Sequence, residues 1–452
     1  MAAAPAVGHP IDAAPQPPVS PAAAGGAPTG AVLMSVGTLA AGVTAYAYNV
    51  LVAQALGPDA YGPIAVLWAA MFLVAVVLFR PIEQTLSREV SYALARGRDV
   101  GPVLRSVAGL TSATVLVAAA ACAIAWGPIT DRLFDGQPVL TAMLILGIAG
   151  YGASYFVRGV IGGRRAYRAY GILLLADGFA RLLLVVPLFF LASSSLAAAA
   201  LAAAAVAGAV VPLIVREGRH VLRGAQGAEP AAVSPGGLAR FAGPAGLVAL
   251  GDQVLLSGGP VLVMLQGGDG AAKAAGVVFA ATMLVRAPAF LFQGVSAALL
   301  PNLTTMLARR DIAGFRRAVG RTVAVLAGFS ALAAVGAFAA GPDIMHLLYG
   351  EGFDAARGDL ALLALGAGGY LVAGTLSQAA MARSETIGMA AIWVGSAAAF
   401  VALELGLGGA PLHRVAIAFA AAALANATAM GLLALRGRDD GPATLRLARS
   451  EA

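Results

Sequence analysis

Residues 56–99, LGPDAYGPIAVLWAAMFLVAVVLFRPIEQTLSREVSYALARGRD, have a counterpart later in the chain. The first copy opens with a turn through Gly57, Pro58 and Gly62, enters an apolar run and is interrupted at Arg80-Pro81. It ends on a basic segment at Arg96 and Arg98. The second copy opens at Ala275-Gly276, is interrupted at Arg286-Ala287-Pro288 and ends on MLARRD. Gly62 falls opposite Gly276 and Ala95 opposite Ala308, an offset of about 214 residues that makes the chain two copies of one module. A second echo agrees, since Gly150-Tyr151 through Tyr170-Gly171 resembles Gly369-Tyr370 through Ile387-Gly388.

Each module is too apolar for water. Of 452 residues, 60% are hydrophobic and 11% charged, with mean hydropathy +0.85. Soluble domains carry about 25% charged residues. Lipid can accept this much apolar surface and a soluble core cannot, so the composition calls for an all-α polytopic membrane protein. A span takes about 20 apolar residues. Twelve runs qualify, at 31–56, 62–90, 103–126, 138–160, 170–191, 194–215, 236–266, 273–306, 319–340, 358–381, 386–408 and 412–435. Residues 1–30, rich in Ala and Pro with one charge at Asp12, read as a disordered cytoplasmic tail. Residues 31–215 form a first lobe, 216–240 a cytoplasmic linker, 241–435 a second lobe and 436–452 a cytoplasmic C-terminal tail. The single cysteine, Cys122, excludes a disulfide within the chain.

Orientation follows from the Lys/Arg bias of short loops. With the N-terminus inside, 23 of the 29 basic residues fall on inner segments. Only Arg132, Lys273, Arg357 and Arg414 fall on outer loops, while Arg181 and Arg286 lie within spans. A wrong span count would scramble this asymmetry. Both termini are therefore expected in the cytoplasm. Six spans per module is an even number, so the pseudo-symmetry axis runs along the membrane normal, as in parallel-repeat transporters.

The loops also exclude functions. No outer loop exceeds about 20 residues, whereas membrane glycosyltransferases and polymerases need a larger outer segment with a catalytic carboxylate. No Walker loop, dinucleotide fingerprint or zinc spacing occurs, and His9, His220, His346 and His413 are scattered. The chain is not expected to be an enzyme. It calls for no cofactor, no metal and no nucleic-acid partner, because its net charge of +7 sits in membrane loops.

Ionisable groups inside spans are costly and mark cavities or partners. Arg80, Glu83, Gln84, Ser87 and Ser91 share one helix face by their spacing, with Pro81 as a point of bending. They line either an inward-opening cavity or the early exit of a helix into the cytoplasm. Arg286 lies about 15 Å beyond Gly276, near the midplane. Asp252 sits at similar depth, flanked by Gly243-Pro244 and Gly258-Gly259-Pro260, and is either a cavity group or the ion-pair partner of Arg286. Asp177 and Arg181, at i and i+4, form an ion pair or a coupling site. Asn49 and Gln54 serve either hydrogen bonds between helices or substrate contact.

Three stretches resemble one superfamily. LVAQALGPDAYGPIAVLWAA (51–70) is similar to the first outer turn of polysaccharide-biosynthesis flippases. VRAPAFLFQGVSAALLPNLTTMLARRD (285–311) resembles their eighth span and that of the related lipid II flippases. RGVIGGRRAYRAYGILLLADGFARLLL (158–184) resembles their fourth loop and fifth span. The superfamily comprises the multidrug, oligosaccharidyl-lipid and polysaccharide exporters, and the resemblance covers about residues 31–435. It implies two pseudo-symmetric six-helix lobes in a V, alternating access, and a polyprenyl-pyrophosphate-linked oligosaccharide as substrate in the bacterial cytoplasmic membrane. Arg80 and Arg286 would serve the pyrophosphate, and Asn49, Gln84 and Gln293 the sugar. The chain departs from lipid II flippases in lacking two further spans and a basic first span. It would work as a monomer among membrane lipids, with cation coupling left open. The alternatives are a cation-coupled drug or metabolite antiporter of the same fold, and a membrane scaffold for envelope assembly.

Overall fold

The computed structural model describes residues 27–187, 191, 193–214, 235–286, 303–383 and 385–436. The regular elements among these are all helices. The first lobe comprises α1 (Ala27–Ala95), α2 (Gly101–Ile124), α3 (Trp126–Leu133), α4 (Pro138–Gly163), α5 (Tyr167–Val185) and α6 (Ser194–Ile214). The second comprises α7 (Pro235–Gln266), α8 (Ala271–Arg286), α9 (Ile312–Tyr349), α10 (Arg357–Ala382), α11 (Thr386–Gly406) and α12 (Pro411–Arg436).

α1 is two spans joined at a hinge. Gly57 sits at φ 73°, ψ 170°, a conformation that suits a residue without Cβ. The chain folds back there. Tyr48 and Trp68 bring their ring centroids to 5.4 Å, although 20 residues of straight helix would hold them about 30 Å apart. Likewise the Tyr61 hydroxyl donates to Asn49 Oδ1 at 3.1 Å. Pro58 and Pro63 sit in the opening turns of the second arm, where a missing N–H is tolerated.

Counting α1 once, nine helices among the described residues are long and apolar enough to cross a membrane. Its two arms, with α5 and α8, bring the expected runs to twelve. α5 falls short because it carries three charges, Arg168, Asp177 and Arg181. α8 is described to Arg286, and its run resumes as helix at 303–308. One element was not anticipated. The third run breaks at Ala125, and Trp126–Leu133 forms the separate short helix α3. The linker segment 215–234 and the tails before 27 and after 436 lie outside the described residues.

Small residues set the packing. Within the first lobe α4 lies against α6, and in the second α10 lies against α12. The echoed glycines sit at both interfaces. A Cβ on Gly150 would come within 2.9 Å of the Ala205 methyl, and one on Gly369 within 3.2 Å of Ala423 and Leu424 backbone. α2 and α9 occupy equivalent places at the rim, with Leu116, Val117, Leu332 and Val335 facing outward as lipid-facing residues would. α1 joins the lobes, touching α7 and α8 as well as its own α4 and α5.

Candidate functional site: a cationic cavity in the first lobe

The lobes meet tightly at one end. A Cβ on Gly62 would overlap the Ala272 carbonyl, and one on Gly276 would stand 2.8 Å from the Pro58 carbonyl. The paired glycines of the two modules thus pack against each other's helices. Gln54 Nε2 donates to the Leu348 carbonyl at 2.9 Å, and the Tyr61 ring lies edge-on to Phe353 at 5.8 Å. Trp68 and Phe279 continue this aromatic seam.

Toward the arginine-rich end the contact gives way to a cavity of about 500 Å³. Arg80, Glu83, Gln84, Ser87 and Ser91, the whole polar stripe, line it from the second arm of α1. Arg158 and Gly162 of α4 and Tyr167 and Tyr170 of α5 line the far wall. α1 and α4 approach closely here because α4 presents glycines. A Cβ on Gly159 would stand 3.0 Å from the Glu83 carbonyl, and one on Gly163 would stand 2.7 Å from that of Ser87. Ser91 Oγ closes the inner edge by donating to the Gly163 carbonyl at 2.9 Å. Pro81 does not break the helix, and Thr85 Oγ1 donates to its carbonyl at 2.7 Å.

The lining is electropositive. Arg80 is exposed, its side chain opens into the cavity, and it makes no hydrogen bond or ion pair with a described residue. Arg158 stacks its guanidinium 4.9 Å over the Tyr155 ring, and its Nε is buried without a partner. The one carboxylate of the wall is Glu83, whose Oε1 accepts the Tyr170 hydroxyl at 3.1 Å. Arg80 and Arg158 both act on it electrostatically.

The second lobe adds a facing cluster. Asp252 accepts hydrogen bonds from the Tyr370 hydroxyl and from Gln253 Nε2. Arg286 is partly buried and donates to the Leu256 carbonyl at 3.1 Å. The structure therefore shows no ion pair between Asp252 and Arg286, the alternative raised from the sequence, although each lies in the other's field. The same field reaches Arg80 across the lobe boundary.

Other candidates lie elsewhere. Asp177 and Arg181 form an ion pair of 2.8 Å inside the first lobe, with Arg181 stacked 4.6 Å over Trp68. Asn49 is 1% exposed, bonded to Tyr61 and to the Ala45 carbonyl, so it stands in the lobe core rather than in the cavity wall. Gln293 lies outside the described residues. Glu404 is fully buried and held by Gln266 and Arg414. Arg158, Tyr170 and Tyr370 were not anticipated. The signal for Arg158 was its place beside the Gly159–Gly162–Gly163 row, which had been read only as a basic loop.

No known family profile matches the chain. An uncharacterised protein of Mycobacterium tuberculosis is 28% identical over 389 residues, covering 83% of this chain and 86% of its own length. A second from the same species is 26% identical over 351 residues, covering 75% and 77%. Among solved structures, a multidrug-resistance transporter of the MATE family, in its inward-facing conformation, superposes with TM-score 0.66 at 14% identity, covering 93% of this chain and 98% of that one. A lipid II flippase in an inward closed conformation superposes with TM-score 0.64 at 12% identity, covering 89% and 87%. The outward-facing form of a MATE transporter aligns at 0.61. The chain has the fold shared by the MATE transporters and the lipid II flippase.

Proposed function

We propose that the protein is a flippase of the bacterial cytoplasmic membrane that moves a polyprenyl-pyrophosphate-linked oligosaccharide outward for cell-surface polysaccharide biosynthesis. The observation that carries this reading is Arg80, a guanidinium that opens into the cavity and has no ion-pair partner among the described residues. A cation placed on a membrane span calls for a partner, and a diphosphate is a group that suits a guanidinium. Arg286 is the second cation of the reading. Gln84, Ser87 and Ser91 would meet hydroxyls of the sugar, and Gln293 belongs with them as a proposal from the sequence. The arginine-rich end faces the cytoplasm in this reading, so the cavity opens to the leaflet where such lipids are made. Alternating access then requires the glycine seam at the opposite end to part.

The drug-antiporter reading shares the fold, and the superposition values do not separate the two. What favours the flippase is charge. A cationic drug would be repelled by Arg80 and Arg158, and the buried carboxylate Asp177 is already neutralised by Arg181. Deletion of the gene should stop surface glycan assembly and accumulate its lipid-linked precursor, and Arg80→Ala should fail to restore export at normal protein level. Full restoration by Arg80→Ala would overturn the reading.

A further inference from the structure

Besides Arg80, the cavity is lined by Arg88 and Arg158. Arg158 is fixed from two sides. Gly159, Gly162 and Gly163 press α4 onto α1, which sets Arg158 level with Glu83, and Tyr155 carries its guanidinium on the ring face. Its Nε is buried and unpartnered, and no ion pair forms with a described residue. Arg80 opens into the same space from one turn before Glu83. Apart from Arg88, which pairs with Glu89, the cavity wall therefore holds two guanidinium groups without an ion pair to a described residue and one carboxylate, and that carboxylate is occupied by Tyr170. A planar guanidinium suits two oxygens of one phosphoryl group, and two such groups on opposite walls suit a phosphate or diphosphate between them.

We infer that Arg158 and Arg80 form a phosphoryl clamp confined to the first lobe, with Glu83 as the resident anion that the ligand displaces. This rests on the flippase reading for its substrate class, and it adds where the charged group sits. Because every clamp residue belongs to α1, α4 or α5, the grip can persist while the lobes rock apart. Arg286, on the other lobe, would engage only in states that bring the lobes together. Glu83 serves as a stand-in counterion. It keeps the empty cavity from holding two bare cations, and the Tyr170 hydroxyl gives it a place to withdraw to.

The test is ligand binding to the purified full-length protein in nanodiscs, by calorimetry, with three probes: inorganic pyrophosphate, geranyl pyrophosphate and phosphatidylglycerol supplied in the disc. Geranyl pyrophosphate should bind the wild type, and Arg158→Gln should weaken it about tenfold or more, the scale of a lost charge-assisted pair. Arg158→Lys should recover little, for want of the fork. Glu83→Gln should tighten binding, which no purely structural role for Arg158 or Glu83 would produce. Competition by inorganic pyrophosphate would assign the clamp to the phosphoryl group itself, and competition by phosphatidylglycerol alone would assign it to an ordinary lipid headgroup; both keep the clamp. Equal affinity in wild type and Arg158→Gln, or weakening by Glu83→Gln, would overturn the clamp while leaving a diphosphate on Arg80 and Arg286 intact. No binding of any phosphate compound by the wild type would overturn the clamp and the flippase reading together.

Discussion

At the scale of single residues, charges inside the membrane divide by partner. Asp177 and Arg181 satisfy each other in the first lobe, with Arg181 also resting on Trp68. Removing one side leaves a buried unpaired charge, a loss of roughly 3–5 kcal/mol. Asp177→Asn should therefore lower thermal stability in detergent, and Asp177→Asn with Arg181→Met should restore it. If the double variant is stable but transports nothing, the pair is a coupling site rather than a structural one. Arg286 behaves differently because it bonds a backbone carbonyl and not Asp252. Arg286→Ala should abolish glycan export at near-normal protein level, and Arg286→Lys should recover little. Asp252→Asn added to Arg286→Gln should not rescue export; rescue would show that Arg286 only balances Asp252. The stripe from Arg80 to Ser91 was legible in the sequence because helical spacing alone puts those residues on one face. Arg158 was not, because its role depends on how closely glycines let a second helix approach.

At the scale of elements, the paired glycines are the seam. Gly62 and Gly276 occupy equivalent positions of the two modules and each faces backbone of the other lobe. A larger side chain at either cannot be absorbed by a rotamer change, since what it meets is main chain. Gly62→Leu should hold the tight end apart. In a Cys122→Ala background, cysteines replacing Pro58 and Gly352, whose groups nearly touch, should cross-link readily. Adding Gly62→Leu should reduce that cross-linking several-fold; unchanged cross-linking would show that the seam closes around the leucine. The repeat made this pairing of positions visible in the sequence, but not their contact. Repeats report equivalence, whereas contact across the pseudo-axis depends on the conformation adopted. The α1 hairpin was legible from Leu56-Gly57-Pro58, and the break at Ala125 that sets off α3 carries a similar mark in Gly127-Pro128, which lies just past the end of the apolar run at 126.

At the scale of the whole molecule, the twelve apolar runs correspond to helices because lipid leaves the backbone no other way to satisfy its polar groups. That constraint made the fold readable from hydropathy and charge alone. The substrate is less readable, since transporters of unlike cargo share this architecture. Orientation remains a matter for labelling. Cysteines at Asp135 and Gly350 should react with an impermeant reagent in whole cells, and those at Gly97 and Gly227 only after permeabilisation. Labelling of Gly227 in intact cells would break the division into two six-span halves. The central claim, outward movement of a diphosphate-linked glycan lipid, is tested most directly in proteoliposomes. Purified protein is reconstituted with a fluorescent polyprenyl-pyrophosphate oligosaccharide, and exposure of its sugar in the opposite leaflet is followed with a lectin or a membrane-impermeant quencher. The account predicts protein-dependent translocation that Arg80→Ala removes. Translocation no faster than in protein-free vesicles, alongside uptake of a cationic drug by the same preparation, would contradict it.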